Sequence, residues 1–177
     1  AALAIGSIAG IDLPWVEWAK IGQTAENKTV GANTGLLDQF SSLKGEEGHF
    51  VFSDFRSLDV RTVPLPAGTA LIVANSMVKH NLTGEYNERR ERCEEAVAAL
   101  QEFHDNVTAL RDVTLAQLED CKDKMAITAY RRARHVVGEN ERVFQGITAL
   151  QNNDVERFGQ LMFESHESSR VNFENSC

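Results

Sequence analysis

The apolar period of the chain changes between its halves, and this restricts the fold more than any other feature. Residues 48–55, GHFVFSDF, alternate: Phe50, Phe52 and Asp54 fall on one side and Val51, Ser53 and Phe55 on the other. That pattern predicts a strand with both faces partly covered. From Glu85 onward apolar residues return every three or four positions instead, through Cys93, Ala96, Val97, Leu100 and Phe103, leaving Glu88, Arg89, Glu91 and Arg92 outside. Strands in one block and helices in another read as an α+β chain. Its 177 residues, 42% of them hydrophobic, suffice for one ordinary core or two small ones.

The first ten residues, AALAIGSIAG, read as a buried helix already under way. Pro14 starts a second helix to about Asn27, with Trp15, Trp18, Ala19 and Gly22 at helical spacing and Glu26 near its end. A glycine loop and a short helix over 35–43 follow. RTVPLP reads as an edge strand that Pro64 and Pro66 bring to an end, and TALIVANS, 69–76, as a buried central strand. Further helices are predicted over 112–120 and 123–152, the second with a stripe of Tyr130, Ala133, Val137, Phe144 and Ile147. Asn153 or Asp154 caps the last helix, whose face is Val155, Phe158, Leu161 and Met162. The proline pair is the best candidate for a domain boundary, dividing the chain into 1–66 and 67–177.

Charge and cysteine usage narrow the function classes. A net charge of −8, with no basic stripe interleaved with aromatics, argues against nucleic acid as a partner. The apolar opening has no basic flank and stops at Asp12, far short of a membrane span. Cys93, Cys121 and Cys177 form no CxxC and lie at no metal spacing from histidine, which suits reduced thiols in a cytoplasmic protein and disfavours zinc. The triplets at Asn27, Asn81 and Asn106 have the form of glycosylation sites but no secretory signal accompanies them. The chain opens without Met and closes on Asn-Ser-Cys without a helix stop, so both ends are expected to continue in a longer protein.

The stretch GANTGLLDQF, 31–40, places Asp38 three residues after Gly35 among Leu36, Leu37 and Phe40. On its own this is a loop with a charged helix start, which the helix dipole favours. Taken with AEN at 25–27, DFRSL at 54–58, ANSMVKH at 74–80, GEYNERRERCEEA at 84–96, RRARHVVGENERV at 131–143 and FGQLMFESHESSR at 158–170, it closely resembles galactokinases of the GHMP kinase superfamily. The tyrosine segment with two arginines three residues later is the most specific of these seven.

The resemblance implies part of a ribosomal-protein-S5-like N-terminal domain followed by part of a ferredoxin-like, helix-rich C-terminal domain. It implies ATP-dependent phosphorylation of galactose at the anomeric hydroxyl, with MgATP and galactose as ligands, in a monomeric cytoplasmic enzyme. Asp38 is then the catalytic carboxylate that holds the anomeric hydroxyl and accepts its proton, Gly35 lets the main chain approach the sugar, and Tyr86 packs on the sugar and hydrogen-bonds it. Glu26 helps hold Mg²⁺. A kinase for a related sugar such as N-acetylgalactosamine or arabinose, or a galactose-sensing regulator without turnover, fits the same residues. Where many relatives have Cys before the glycine, this chain has Thr34, which bears on sugar fit. The family's sugar-signature segment, phosphate loop and final glycine-rich motif are not in these residues, so the chain alone is expected to be inactive.

Other polar residues receive plainer readings. Arg89 and Arg90 are expected to pair with Glu88, Glu94 or a neighbouring loop, and His135, four residues from Arg131 and Glu139, to be structural. Lys79 and His80 are open between facing the nucleotide and not. Ser165 and His166 lack the setting of a hydrolase nucleophile.

Overall fold

The computed structural model describes residues 2–31, 34–75, 77 and 82–176, with backbone alone at 30 and 82–86. The chain separates into two compact units, Ala1–Val73 and Ala74–Cys177.

In the first unit, α1 (Ala2–Ile8) leads to α2 (Trp15–Val30), which Pro14 introduces at φ −54° and ψ 143°. Helix α2 ends at Gly31, whose left-handed φ of 74° lets its N–H return to the Asn27 carbonyl at 3.0 Å. That conformation costs glycine little and explains its use at a helix end. Helix α3 (Leu37–Lys44) follows, then the antiparallel strands β1 (His49–Asp54) and β2 (Asp59–Pro64), paired so that Phe50 faces Val63 and Phe52 faces Arg61. The Asp54 carboxylate accepts from the backbone N–H groups of Arg56 and Ser57 at 2.8 and 3.2 Å, which shapes the hairpin turn. Trp18, Ala19, Phe40 and Val63 form the buried centre. Gly6 of α1 lies against the Trp18 indole, and an added Cβ there would overlap the ring.

The second unit consists of helices among the described residues: α4 (Leu82–Gln101), α5 (Leu115–Asp120), α6 (Ile127–Gln151) and α7 (Val155–Ser168). Short 3₁₀ turns at Leu110–Asp112 and Lys122–Lys124 join them, and a π-helical turn, Ser169–Phe173, extends α7. Ala96 and Leu100 of α4, Leu118 of α5, and Ala129, Tyr130, Ala133 and Val137 of α6 share one core. Thr114 and Gln117 cap α5 reciprocally, and Asp154 caps α7 by accepting from the Arg157 N–H at 2.9 Å.

Several expectations need correction. Helix α1 is not buried: Gly6 is its one buried residue, and Ile8 is 90% exposed, because only the Gly6 face meets Trp18. The run expected as a central strand has no regular structure over 71–75, and Ile72 and Val73 are 92% and 97% exposed. A strand needs neighbours for its N–H and C=O groups, and the sheet among the described residues is the β1–β2 hairpin. Phe103 and Phe144 lie outside the core; after Val137 the buried side of α6 passes through Gly146, Ala149 and Leu150. The helix expected from residue 112 begins at Leu115, and the one expected from 123 begins at Ile127, each preceded by a 3₁₀ turn.

Candidate functional site

Helix α3 has only eight residues, too few to be stable by its own hydrogen bonds. Phe40 fixes it. That ring is fully buried, edge-on to Trp15 at 5.0 Å and tilted against Phe55 at 5.6 Å. With Phe40 turned inward, Asp38 stands exposed in the first turn, where the helix dipole favours a carboxylate. Among the described residues it has no hydrogen-bond or ion-pair partner. It borders a groove of about 430 Å³ whose other walls include Leu3 of α1, Trp18 and Gly22 of α2, and Ser42.

Glu26 is half-buried near the end of α2, and its Oε2 accepts from the Gln39 amide at 2.9 Å. Helices α2 and α3 are therefore joined by the residue next to Asp38. The Gln39 Oε1 is itself buried with no partner among the described residues. Gly22 leaves room for this arrangement, since a Cβ there would come within 3.2 Å of Gln39 Cγ.

The loop before α3 is held from α2. Asn27 Oδ1 accepts from the Thr34 N–H at 3.2 Å and from its hydroxyl at 2.6 Å, while the Gln23 amide donates to the Thr34 carbonyl at 3.0 Å. Gly35 follows, exposed and without a positive φ, and an added Cβ would meet nothing within 4 Å among the described residues. Neither backbone geometry nor packing within the unit calls for glycine there. It leaves open space beside the main chain, as Gly31 does, but without the positive φ that accounts for Gly31.

Glu26, Gly35 and Asp38 thus lie on the adjoining elements α2, loop and α3. Tyr86 lies in the other unit, on the second turn of α4, and its side chain is outside the described residues, as are Lys79, His80 and Asn81. Sequence reading missed Gln39, Gln23 and Asn27 as partners of the site. The signal available was the pair of amides one turn apart on α2, followed by a threonine loop.

The remaining polar groups of the second unit serve its packing. Arg132, 5% exposed, donates to the Asn172 carbonyl at 2.6 Å and to the Glu174 carboxylate at 2.8 Å, which holds that carboxyl below its ordinary range. Arg89 donates to the carbonyls of Phe173 and Glu174, and Arg90 to Glu94 at 3.0 Å. His135 stacks on Phe173 at 4.5 Å and meets the Ser168 hydroxyl at 3.0 Å; burial pushes its pKa down. Burial also pushes the Cys93 thiol up to about 11, which keeps it protonated. No cluster of three or more His, Cys, Asp or Glu side chains able to hold a metal occurs among the described residues, and no described helix is long and apolar enough to cross a membrane.

No family model matches the chain. It is 46% identical over 171 residues to a galactokinase of Glaesserella parasuis serovar 5, covering 94% of this chain and 43% of that protein. It is 45% identical over 180 residues to a galactokinase of Actinobacillus pleuropneumoniae serotype 3, covering 97% of this chain and 46% of that one. The chain therefore spans less than half the length of these relatives. Among solved structures, Lactococcus lactis galactokinase complexed with galactose superposes with a TM-score of 0.82 at 25% identity, over 98% of this chain and 45% of that one.

Proposed function

We propose that the chain is part of a galactokinase, with the fold of that family, and that the protein it belongs to transfers the γ-phosphoryl group of ATP to the anomeric hydroxyl of galactose. The observation that carries this reading is the placement of Asp38: an exposed carboxylate at a groove, on a short helix pinned by the buried Phe40, with no partner among the described residues. A carboxylate without a protein partner is available to an incoming hydroxyl. Residues 1–66 then belong to the first domain of the family and 67–177 to the second, in a cytoplasmic, monomeric enzyme.

Phosphoryl transfer demands positioning and charge stabilisation more than covalent help from the protein. Asp38 holds the anomeric hydroxyl in line and accepts its proton as the new O–P bond forms; the bond from the γ-phosphorus to its bridging oxygen breaks, and ADP leaves. The open space beside Gly35 admits the sugar close to the main chain. Tyr86 contributes a flat apolar face and a phenol for the sugar.

The donor chemistry at Glu26 fits a hard divalent cation. One carboxylate oxygen is held by a neutral amide and no cationic side chain pairs with Glu26 among the described residues. Mg²⁺ is commonly held by one or two carboxylates together with substrate phosphates. Glu26 would hold it, and the ion, when bound, neutralises charge on the nucleotide phosphates. A coupled ADP-release assay on the full-length enzyme with galactose, N-acetylgalactosamine and arabinose tests the function. Galactose-dependent release supports it, and ADP release with none of these sugars removes it.

A further inference from the structure

Resting on the reading of Glu26 and Asp38 above, we propose that Gln39 is the positioning residue of the site. It ties the cation-binding carboxylate of α2 to the helix that carries the acceptor-binding carboxylate. The single contact that shows this is the 2.9 Å hydrogen bond from Gln39 Nε2 to Glu26 Oε2.

The chemistry of the donor matters. Lysine or arginine at this position would hold Glu26 equally well but would cancel its charge, leaving little attraction for a dication. An amide fixes the carboxylate and leaves its negative charge intact, with the second oxygen directed by the first. The orientation of the amide follows from the pairing, because the reversed amide would set oxygen against carboxylate. The buried Gln39 Oε1, without a partner among the described residues, is a polar atom whose isolation costs stability and which gains a partner when a donor such as water enters.

The scaffold around Gln39 is correspondingly stiff. It lies between Asp38 and the fully buried Phe40, and the absent side chain of Gly22 makes the space its stem occupies. Any displacement of α3 therefore moves Asp38 and the tether on Glu26 together. The two carboxylates form a unit linked by one side chain, which itself lines the groove beside Asp38.

The test uses the full-length enzyme with Mn²⁺ in place of Mg²⁺. Mn²⁺ binding is measured by electron paramagnetic resonance in the presence of a non-hydrolysable ATP analogue. Gln39→Met keeps the length and removes the donor; Gln39→Asn keeps the donor but falls short of Glu26. Glu26→Gln is the reference. Both Gln39 variants are expected to weaken Mn²⁺ about tenfold, within the range that partners of metal ligands command. Turnover should fall in parallel, with the galactose KM within about twofold of wild type, because the buried Phe40 still holds α3 and Asp38 in place. If Glu26→Gln weakens Mn²⁺ while both Gln39 variants bind it like wild type, the positioning role is overturned and the reading of Glu26 stands. If Glu26→Gln leaves Mn²⁺ affinity unchanged, the cation reading of Glu26 falls and the proposal falls with it. Lowered melting temperatures with unchanged Mn²⁺ affinity would make Gln39 a packing residue only, which also overturns it.

Discussion

Asn27 and Thr34 are joined three times: the amide oxygen of the first accepts the backbone N–H and the side-chain hydroxyl of the second, at 3.2 and 2.6 Å, and its amide N–H donates to the Thr34 carbonyl at 3.5 Å. The link crosses from α2 to the loop that presents Gly35. Thr34→Val should loosen that loop by removing the shorter bond and leaving Asn27 short of one donor, at a cost of about 1 kcal/mol. The expected result is a rise of roughly fivefold in the galactose KM, with turnover and the ATP KM near wild type, and Thr34→Ser close to wild type throughout. Steady-state kinetics with each substrate varied would check this; an equal rise in both KM values would contradict it.

Asp38→Asn keeps the shape of the side chain and removes its ability to take a proton. Galactose affinity is expected to stay within about tenfold while turnover falls by about 10² or more, the span associated with positioned acid–base groups. Isothermal titration with galactose and a coupled ADP assay separate the two effects. Near-normal turnover in a folded variant would remove Asp38 from the catalytic role.

If Tyr86 packs on the sugar as proposed, that contact is made alike in ground and transition states. Tyr86→Ala should therefore raise the galactose KM by a larger factor than it lowers turnover. A variant with unchanged KM would show that the tyrosine serves the helix rather than the ligand.

His135 predicts a pH dependence of stability. Burial between Phe173 and Ser168 lowers its pKa from the ordinary 6.5, aided by Arg142 and Arg132 and opposed by Glu139 at 3.8 Å. Below that value the unfolded imidazole binds a proton that the folded one resists, so stability is fully present above pH 6.5 and declines as pH falls toward the folded pKa. The melting temperature of the enzyme should drop between about pH 7.5 and 5.5, and the drop should be smaller in His135→Gln. Parallel pH profiles for the two proteins would refute the assignment.

Residues 1–177 made alone should release no ADP in response to galactose. Phosphates in proteins are commonly cradled by backbone N–H groups of a glycine-rich loop at a helix N-terminus, and the glycine loop before α3 is the one proposed above to lie at the sugar. The exposed run of Leu71, Ile72 and Val73 should also make this stretch aggregation-prone. Calorimetric titration with MgATP, a coupled assay and light scattering give the answer. Nucleotide binding with galactose-dependent turnover would mean that a phosphate site lies within these residues.

What the residue pattern made legible were features set by near neighbours along the chain. The proline before α2, the alternation of β1, the proline that ends β2 and the Asp154 cap all act within a few residues, and all appear where expected. The run 69–76 was misread over its described residues, 69–75, because a strand is completed by partners far away in sequence, and apolar composition alone does not supply them. The apolar helix α1 was misread for the same reason, since composition says that a face wants cover and not whether it has it. At the site, Asp38, Gly35 and Glu26 stood out through their resemblance to a known pattern. Gln39, Asn27 and Gln23 did not, because amide pairs across elements have no period to reveal them.

The contact between Gly6 and Trp18 bears on how acceptor range could be altered. Leu3 of α1 and Trp18 of α2 both line the groove beside Asp38, and Gly6 meets the indole where a methyl carbon would overlap one ring atom and come within 2.6 and 2.9 Å of two others. A methyl at this position acts as a shim. Gly6→Ala would have to move α1 or turn the indole, so the aperture next to Asp38 can be adjusted from a residue that lines none of it. Libraries meant to broaden sugar choice gain a control point there that does not touch the chemistry.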